Sequence, residues 1–216
     1  MPEDTQLSDS DGTLLVKTAR RAVTEFLSSG TYAPKPNFSW KQIKLDREFE
    51  KKFSFNSGVF VTLNKPEGLR GCIGFPMPEK KLSHAIIEGA IAAATEDPRF
   101  PSVTTNELDD ITFEVTVLTP PVEIDVSDPM EYLTKIKVGR DGLIIRHSFY
   151  SGLLLPQVPG EYGWNVEEFL QHTCGKAGLE KDFWKSGKAK IEKFEGIVFK
   201  EETPNGKVVR EKTHGS

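Results

Sequence analysis

A chain of 216 residues, 37% hydrophobic and 28% charged, can bury a core as one domain or two small lobes, and is too apolar to stay disordered. Its formal net charge of −4 argues against avid, sequence-independent nucleic-acid binding, which depends on cations meeting phosphates. Two cysteines make no disulfide framework, and no apolar run approaches the ~20 residues of a membrane-spanning helix. No apolar core follows a basic start as in a secretory signal, so a cytoplasmic protein is expected.

Residues 1–10 are acidic and polar and read as a disordered tail. Asp11 or Thr13 then caps a helix to about residue 28, with Leu15, Ala19, Ala22, Val23 and Phe26 on one face and Gly30 suited to its end. Pro34 and Pro36 make 31–37 an extended connector, and the charged, aromatic-dotted stretch 38–55 has no clean assignment.

Gly58-Val59-Phe60-Val61-Thr62-Leu63 is a strand, and Asn64-Lys65-Pro66-Glu67 a hairpin loop into Gly68-Leu69-Arg70-Gly71-Cys72-Ile73-Gly74-Phe75. In an extended ribbon Leu69, Gly71, Ile73 and Phe75 share one face, while Arg70, Cys72 and Gly74 share the other. The second face holds a cation two residues from a thiol, beside a glycine that leaves room for another group. A guanidinium nearby favours a thiolate. The competing reading is structural: cysteine is often a small buried hydrophobe, and strand glycines mark bulges or close approach.

Residues 81–95 form a helix with Leu82, Ile86, Ala90 and Ala93 on its buried stripe, and His84 is spaced to pair with Glu88. Asp97-Pro98-Arg99-Phe100-Pro101 ends that helix; Asp97 and Arg99 pair locally, or Arg99 reaches a binding site. In the strand 111–118, Ile111, Phe113, Val115 and Val117 face the core, with Thr112, Glu114 and Thr116 opposite, which lets Glu114 approach Arg70 if the strands are neighbours.

Asp128-Pro129-Met130-Glu131 reads as a capping box opening a short helix. A turn at 139–142 leads into a hairpin through 143–147 and 151–155. Residues 155–164 form a rigid, aromatic loop before a helix capped by Asn165, with Val166, Phe169, Leu170 and Cys174 inside. Residues 190–200 make a last strand kinked at Gly196, followed by a tail at 202–216. Lys185, Lys188, Lys190 and Lys193 are the candidate basic patch, read otherwise as a solvated face.

The residues Leu69-Arg70-Gly71-Cys72-Ile73-Gly74 resemble the signature of the AMMECR domain family. The likeness continues in order through Asp97-Pro98-Arg99-Phe100-Pro101, Glu107-Leu108, Glu114-Val115-Thr116-Val117-Leu118-Thr119, Gly139-Arg140-Asp141-Gly142-Leu143, Leu155-Pro156-Gln157-Val158, Gly163-Trp164 and Cys174-Gly175-Lys176-Ala177-Gly178-Leu179. The resemblance implies an intracellular α+β protein and supplies no settled activity. It also implies company: related domains occur with Memo-like and radical-SAM proteins, in a three-part system of which this chain would be component A.

The expected fold is α+β, largely antiparallel sheet with helices packed outside, in one domain over 11–201. The shared strand–helix–strand order of 58–118 and 139–199 fits two related lobes, although no sequence repeat accompanies it. Metal ligation is poorly supported, since His172 and Cys174 point to different sides of a helix, and no cofactor fingerprint is present. Two functions stay open. In one, Arg70, Gly71, Cys72, Gly74 and Arg99 bind a small anionic ligand or a partner's carboxylate. In the other, Cys72 is a nucleophile, Arg70 stabilises negative charge, and Glu114 or one of His84, His147 and His172 manages protons.

Overall fold

The computed structural model describes residues 7–28 and 43–211. The described residues divide into two compact units, one drawn from residues within 7–118 together with 197–211, the other from 119–196. Every described strand pairing is antiparallel, which with the helices makes an α+β fold.

In the first unit, helix α1 (Asp9–Ser28) begins inside the stretch read as a tail. The Ser8 hydroxyl accepts the Asp11 N–H, while the Asp11 carboxylate accepts the N–H and hydroxyl of Ser8. This reciprocal cap starts the helix ahead of Asp11, and Leu7 is already buried in the core. Helix α2 (Arg47–Lys52) lies in the stretch that had no assignment, capped by the Asp46 carboxylate on the N–H groups of Glu48 and Phe49. Gly30 and the connector 31–37 lie outside the described residues.

Strands β1 (Val59–Lys65) and β2 (Gly68–Phe75) form the expected hairpin, with a bulge between Leu63 and Asn64. Helix α3 (Leu82–Thr95) follows, then β3 (Thr112–Leu118), which pairs with the other side of β1. Strand order from the edge is therefore β2-β1-β3. Val59, Val61, Leu63, Phe113, Val115 and Val117 point to one face, where they pack with Leu15, Ala19 and Val23 of α1 and Ile86, Ala90 and Ala93 of α3. Burying both helices on one face leaves the opposite face half-exposed and polar, the usual division of an antiparallel sheet.

The second unit contains β4 (Val122–Glu123), α4 (Tyr132–Lys135), β5 (Asp141–His147), β6 (Tyr150–Leu154), α5 (Val158–Tyr162) and α6 (Val166–Lys176). β7 (Lys190–Glu201) runs across the boundary between the units: residues 190–195 pair with β5 and β4, and residues 199–201 pair with β8 (Val208–Arg210). The tail assigned to 202–216 thus contains a strand, because β7 offers a free edge that Val208–Arg210 completes. Helix α6 carries the reciprocal Asn165–Glu168 cap and buries Phe169, Leu170 and Cys174 against Leu143, Ile145, Trp184 and Ile191. Residues 155–164, read as a loop, hold the short helix α5, stopped at Gly163 in the left-handed region. Among the described residues no helix is long and apolar enough to cross a membrane.

Candidate functional site

The polar face of the first unit's sheet has a row built by strand register. Thr62 lies opposite Cys72 on one side and opposite Glu114 on the other, so three side chains from β2, β1 and β3 project together. The Thr62 hydroxyl donates to Cys72 Sγ at 3.2 Å. Glu114 is separated from Cys72 by the whole of β1, roughly 9–10 Å across two strand spacings.

Beyond the edge of β2, the segment after α3 closes on Cys72 from outside the sheet. Asp97, 3% exposed, accepts the Cys72 backbone N–H at 2.8 Å. The same carboxylate takes Arg99 Nε at 3.0 Å and Nη2 at 2.7 Å. The Arg99 hydrogen bond holds the Asp97 carboxyl far below the usual range against the opposing effect of burial. The Arg99 side chain stays 55% exposed, with its charge within electrostatic reach of the Cys72 thiol.

Burial pushes the Cys72 thiol up, the Thr62 hydrogen bond and the Arg99 charge pull it back, and Glu114 and Asp97 push it further up. Burial also raises the Glu114 carboxyl, Glu211 adds to this, and Lys200 opposes it. Lys200 itself is bonded to Glu211 at 2.6 Å. The row therefore presents a neutral thiol and a carboxyl that keeps its proton more readily than usual.

Arg70 is turned to partners other than this thiol. Its Nε and Nη2 donate to the two oxygens of Glu107 at 2.9 and 3.2 Å, and its Nη1 donates to the Pro101 carbonyl at 2.8 Å. The Arg70 side chain is 11% exposed, and β1 separates it from Glu114. The expected approach of Glu114 to Arg70 is thus corrected, along with Arg70 as a charge stabiliser beside the sulfur: Glu107 takes its fork. Gly71 and Gly74 likewise have packing reasons. A Cβ at Gly71 would stand 2.1 Å from the Ala93 carbonyl oxygen of α3, and one at Gly74 would stand 2.3 Å from the Val59 carbonyl oxygen and 2.5 Å from the Phe60 ring. The room read beside Cys72 is filled by that carbonyl and that ring.

The three candidate histidines are engaged elsewhere. His84 meets Glu50 at 3.3 Å, not Glu88, which binds Lys80. His147 Nδ1 meets the Lys188 carbonyl oxygen, and His172 stacks on Trp164. Cys174 is fully buried. The candidate basic patch is largely spent on neighbours, with Lys185 bound to Glu167 and Asp182 and Lys190 to Glu123. Among the described residues no group of three His, Cys, Asp or Glu side chains could hold a metal ion.

A family model described as AMMECR1 matches residues 16–199. The chain belongs to the AMMECR1 family. Protein MJ0810 of Methanocaldococcus jannaschii is 47% identical over 208 residues, 95% of this chain and 98% of its own. A protein of Thermococcus gammatolerans is 49% identical over 210 residues, 95% of this chain and 97% of its own. The crystal structure of uncharacterized protein PH0010 from Pyrococcus horikoshii aligns with a TM-score of 0.73 at 45% identity, covering 95% of this chain and 98% of that one. Within this AMMECR1 chain the residues that surround Cys72 are Thr62, Asp97, Arg99 and Glu114. Asp97 and Glu107 lie in the stretches that carry the family likeness, but nothing in their spacing shows that they bind β2. Thr62 is not among the residues expected at the site; the signal that could have found it is cross-strand register, which after a short loop sets it near Cys72.

Proposed function

We propose that this AMMECR1-family chain is a binding protein whose ligand lies on the polar face of the first unit's sheet, over Cys72, Thr62 and Glu114. Arg99 meets the negative end of that ligand, a small carboxylate or the carboxylate of a partner protein. The observation that carries the reading is the state of Arg99. Asp97 holds its Nε and Nη2, which fixes the plane of the guanidinium and leaves the donors on Nη1, on a side chain more than half exposed. Memo-like and radical-SAM proteins, in a cytoplasmic setting, are the partners this proposal puts first.

Binding is favoured over thiol catalysis because a nucleophilic cysteine needs a lowered pKa or an adjacent base. Here burial raises the thiol, and the sulfur's hydrogen-bond partner is a hydroxyl. Labelling of Cys72 by iodoacetamide from pH 6 to 10, with Cys174→Ala, separates the two. A midpoint above the ordinary thiol value of about 8.5 supports binding; one near 7 supports the nucleophile. Calorimetric titration with succinate tests the site directly. Binding that Arg99→Gln abolishes supports the proposal, and heat unchanged by Arg99→Gln overturns it.

A further inference from the structure

We infer that Arg70 and Glu107 are positioning residues: they clamp the segment 97–107 along the edge of β2 and so hold Arg99 beside Cys72. The inference rests on the binding reading given above and explains what the signature arginine does within it.

β2 is the edge strand of its sheet, and edge strands leave backbone groups unpaired. Here a carboxylate takes the place of a neighbouring strand at Cys72 N–H. That contact anchors the segment at Asp97. Arg70 anchors it in the middle through Pro101 O and at the far end through Glu107. Glu107 is itself a junction. Its Oε1 also takes Lys65 Nζ at 2.8 Å from the end of β1, and its Oε2 takes the N–H and hydroxyl of Thr104 at 2.8 and 3.0 Å. The same carboxylate therefore closes the capping box of the 3-10 turn Thr105–Glu107 and ties that turn to the β1–β2 hairpin.

Between these anchors the chain also returns to α3, through Val103 N–H on Ala94 O at 2.7 Å. Arg99 stands between the first anchor and the second, so its base has little freedom. Every nitrogen of the Arg70 guanidinium has a protein acceptor and the side chain is 11% exposed, so its fork is committed to the junction. Its planar fork is what the junction uses. A lysine would keep the charge and lose the two-oxygen grip together with the Pro101 contact.

The clamp is tested by coupling. Four chains, all carrying Cys174→Ala, are compared for the pH dependence of Cys72 labelling by iodoacetamide: the parent, Arg70→Lys, Arg99→Gln and the double variant. The Arg99 charge favours the thiolate, so Arg99→Gln moves the labelling midpoint upward. Arg70→Lys moves it in the same direction in the parent, and moves it no further once Arg99 is glutamine. A shift of equal size in both backgrounds, or none in the parent, overturns the clamp, since a merely structural residue would act independently of Arg99. Should Arg70→Lys fail to fold, Glu107→Gln loosens the same junction from its other side and is read in the same way. The binding proposal is judged by the succinate titration alone, so either reading can fail without the other.

Discussion

The backbone N–H of Cys72 donates to Asp97 Oδ2 at 2.8 Å, which joins an edge strand to a loop twenty-five residues further along the chain. Asp97 is 3% exposed and also carries the Arg99 guanidinium. Asp97→Asn keeps the shape, removes the charge and puts an NH2 donor where one accepting oxygen was, so either the Arg99 Nε bond or the Arg99 Nη2 and Cys72 bonds lose their acceptor. The expected cost is about 2–3 kcal/mol in urea unfolding, the size seen for hydrogen bonds to charged groups. A loss below about 0.5 kcal/mol would place the pair with ordinary surface ion pairs.

Asp97 and Glu107 also determine how the protein meets acid. Both carboxyls sit well below the usual range in the folded chain, Asp97 through its bond to Arg99 and Glu107 through its bond to Arg70. Each binds its proton more weakly folded than unfolded, so the unfolded chain takes up more protons as the pH falls. Their contribution is complete above the ordinary carboxylate pKa of about 4 and drains away below it. Urea midpoints are expected to fall steeply from pH 5 to pH 2, and the Asp97→Asn, Glu107→Gln double variant to show a shallower fall over that interval. Parallel curves would refute this.

What the sequence revealed follows physical lines. Ile111, Phe113, Val115 and Val117 alternate with polar residues because one sheet face packs on two helices, and that periodicity was readable. The alternation that sets Arg70 on one face with Cys72 is interrupted in the structure, because Arg70 is the residue of β2 left without a partner at the bulge. Where its long side chain goes is a separate matter. Arg70 turns to Glu107, thirty-seven residues on, and only the tertiary path of 97–107 brings that partner within reach. Gly74 is a similar case, because the carbonyl oxygen and the ring that fill its space belong to Val59 and Phe60 on the next strand. The cap at Ser8 and Asp11 was missed because an acidic, polar stretch reads as a tail until its hydrogen bonds are known.

The buried pair of Arg20 and Glu201 offers a stability test away from the candidate site. Arg20 Nε and Nη2 donate to Glu201 at 2.7 and 2.5 Å, and Glu201 also takes the Phe113 N–H at 3.0 Å. Their side chains are 12% and 2% exposed. Arg20→Met leaves a buried carboxylate without its counter-charge and is expected to cost about 3–5 kcal/mol. Adding Glu201→Gln removes the stranded charge while keeping an acceptor for Phe113, so the double variant should be more stable than Arg20→Met alone. Chemical denaturation of the two single variants and the double closes the cycle, and simple additivity would contradict it.

Two glycines separate close approach from conformational freedom. At Gly71 a Cβ would meet the Ala93 carbonyl oxygen, and that oxygen belongs to the backbone of α3 and cannot rotate aside. Gly71→Ala must push away a helix that carries Ile86, Ala90 and Ala93 into the core, at a cost of about 3 kcal/mol, the upper range for overpacking. Gly175 lies in α6 with nothing within 4 Å of the position a Cβ would take. Alanine there removes backbone freedom from the unfolded chain and is expected to stabilise by about 0.5 kcal/mol. Urea unfolding of the two variants should therefore move in opposite directions. If Gly71→Ala were tolerated as easily as Gly175→Ala, β2 and α3 could not be packed backbone to backbone, and the edge on which Cys72, Asp97 and Arg99 meet would lose its support.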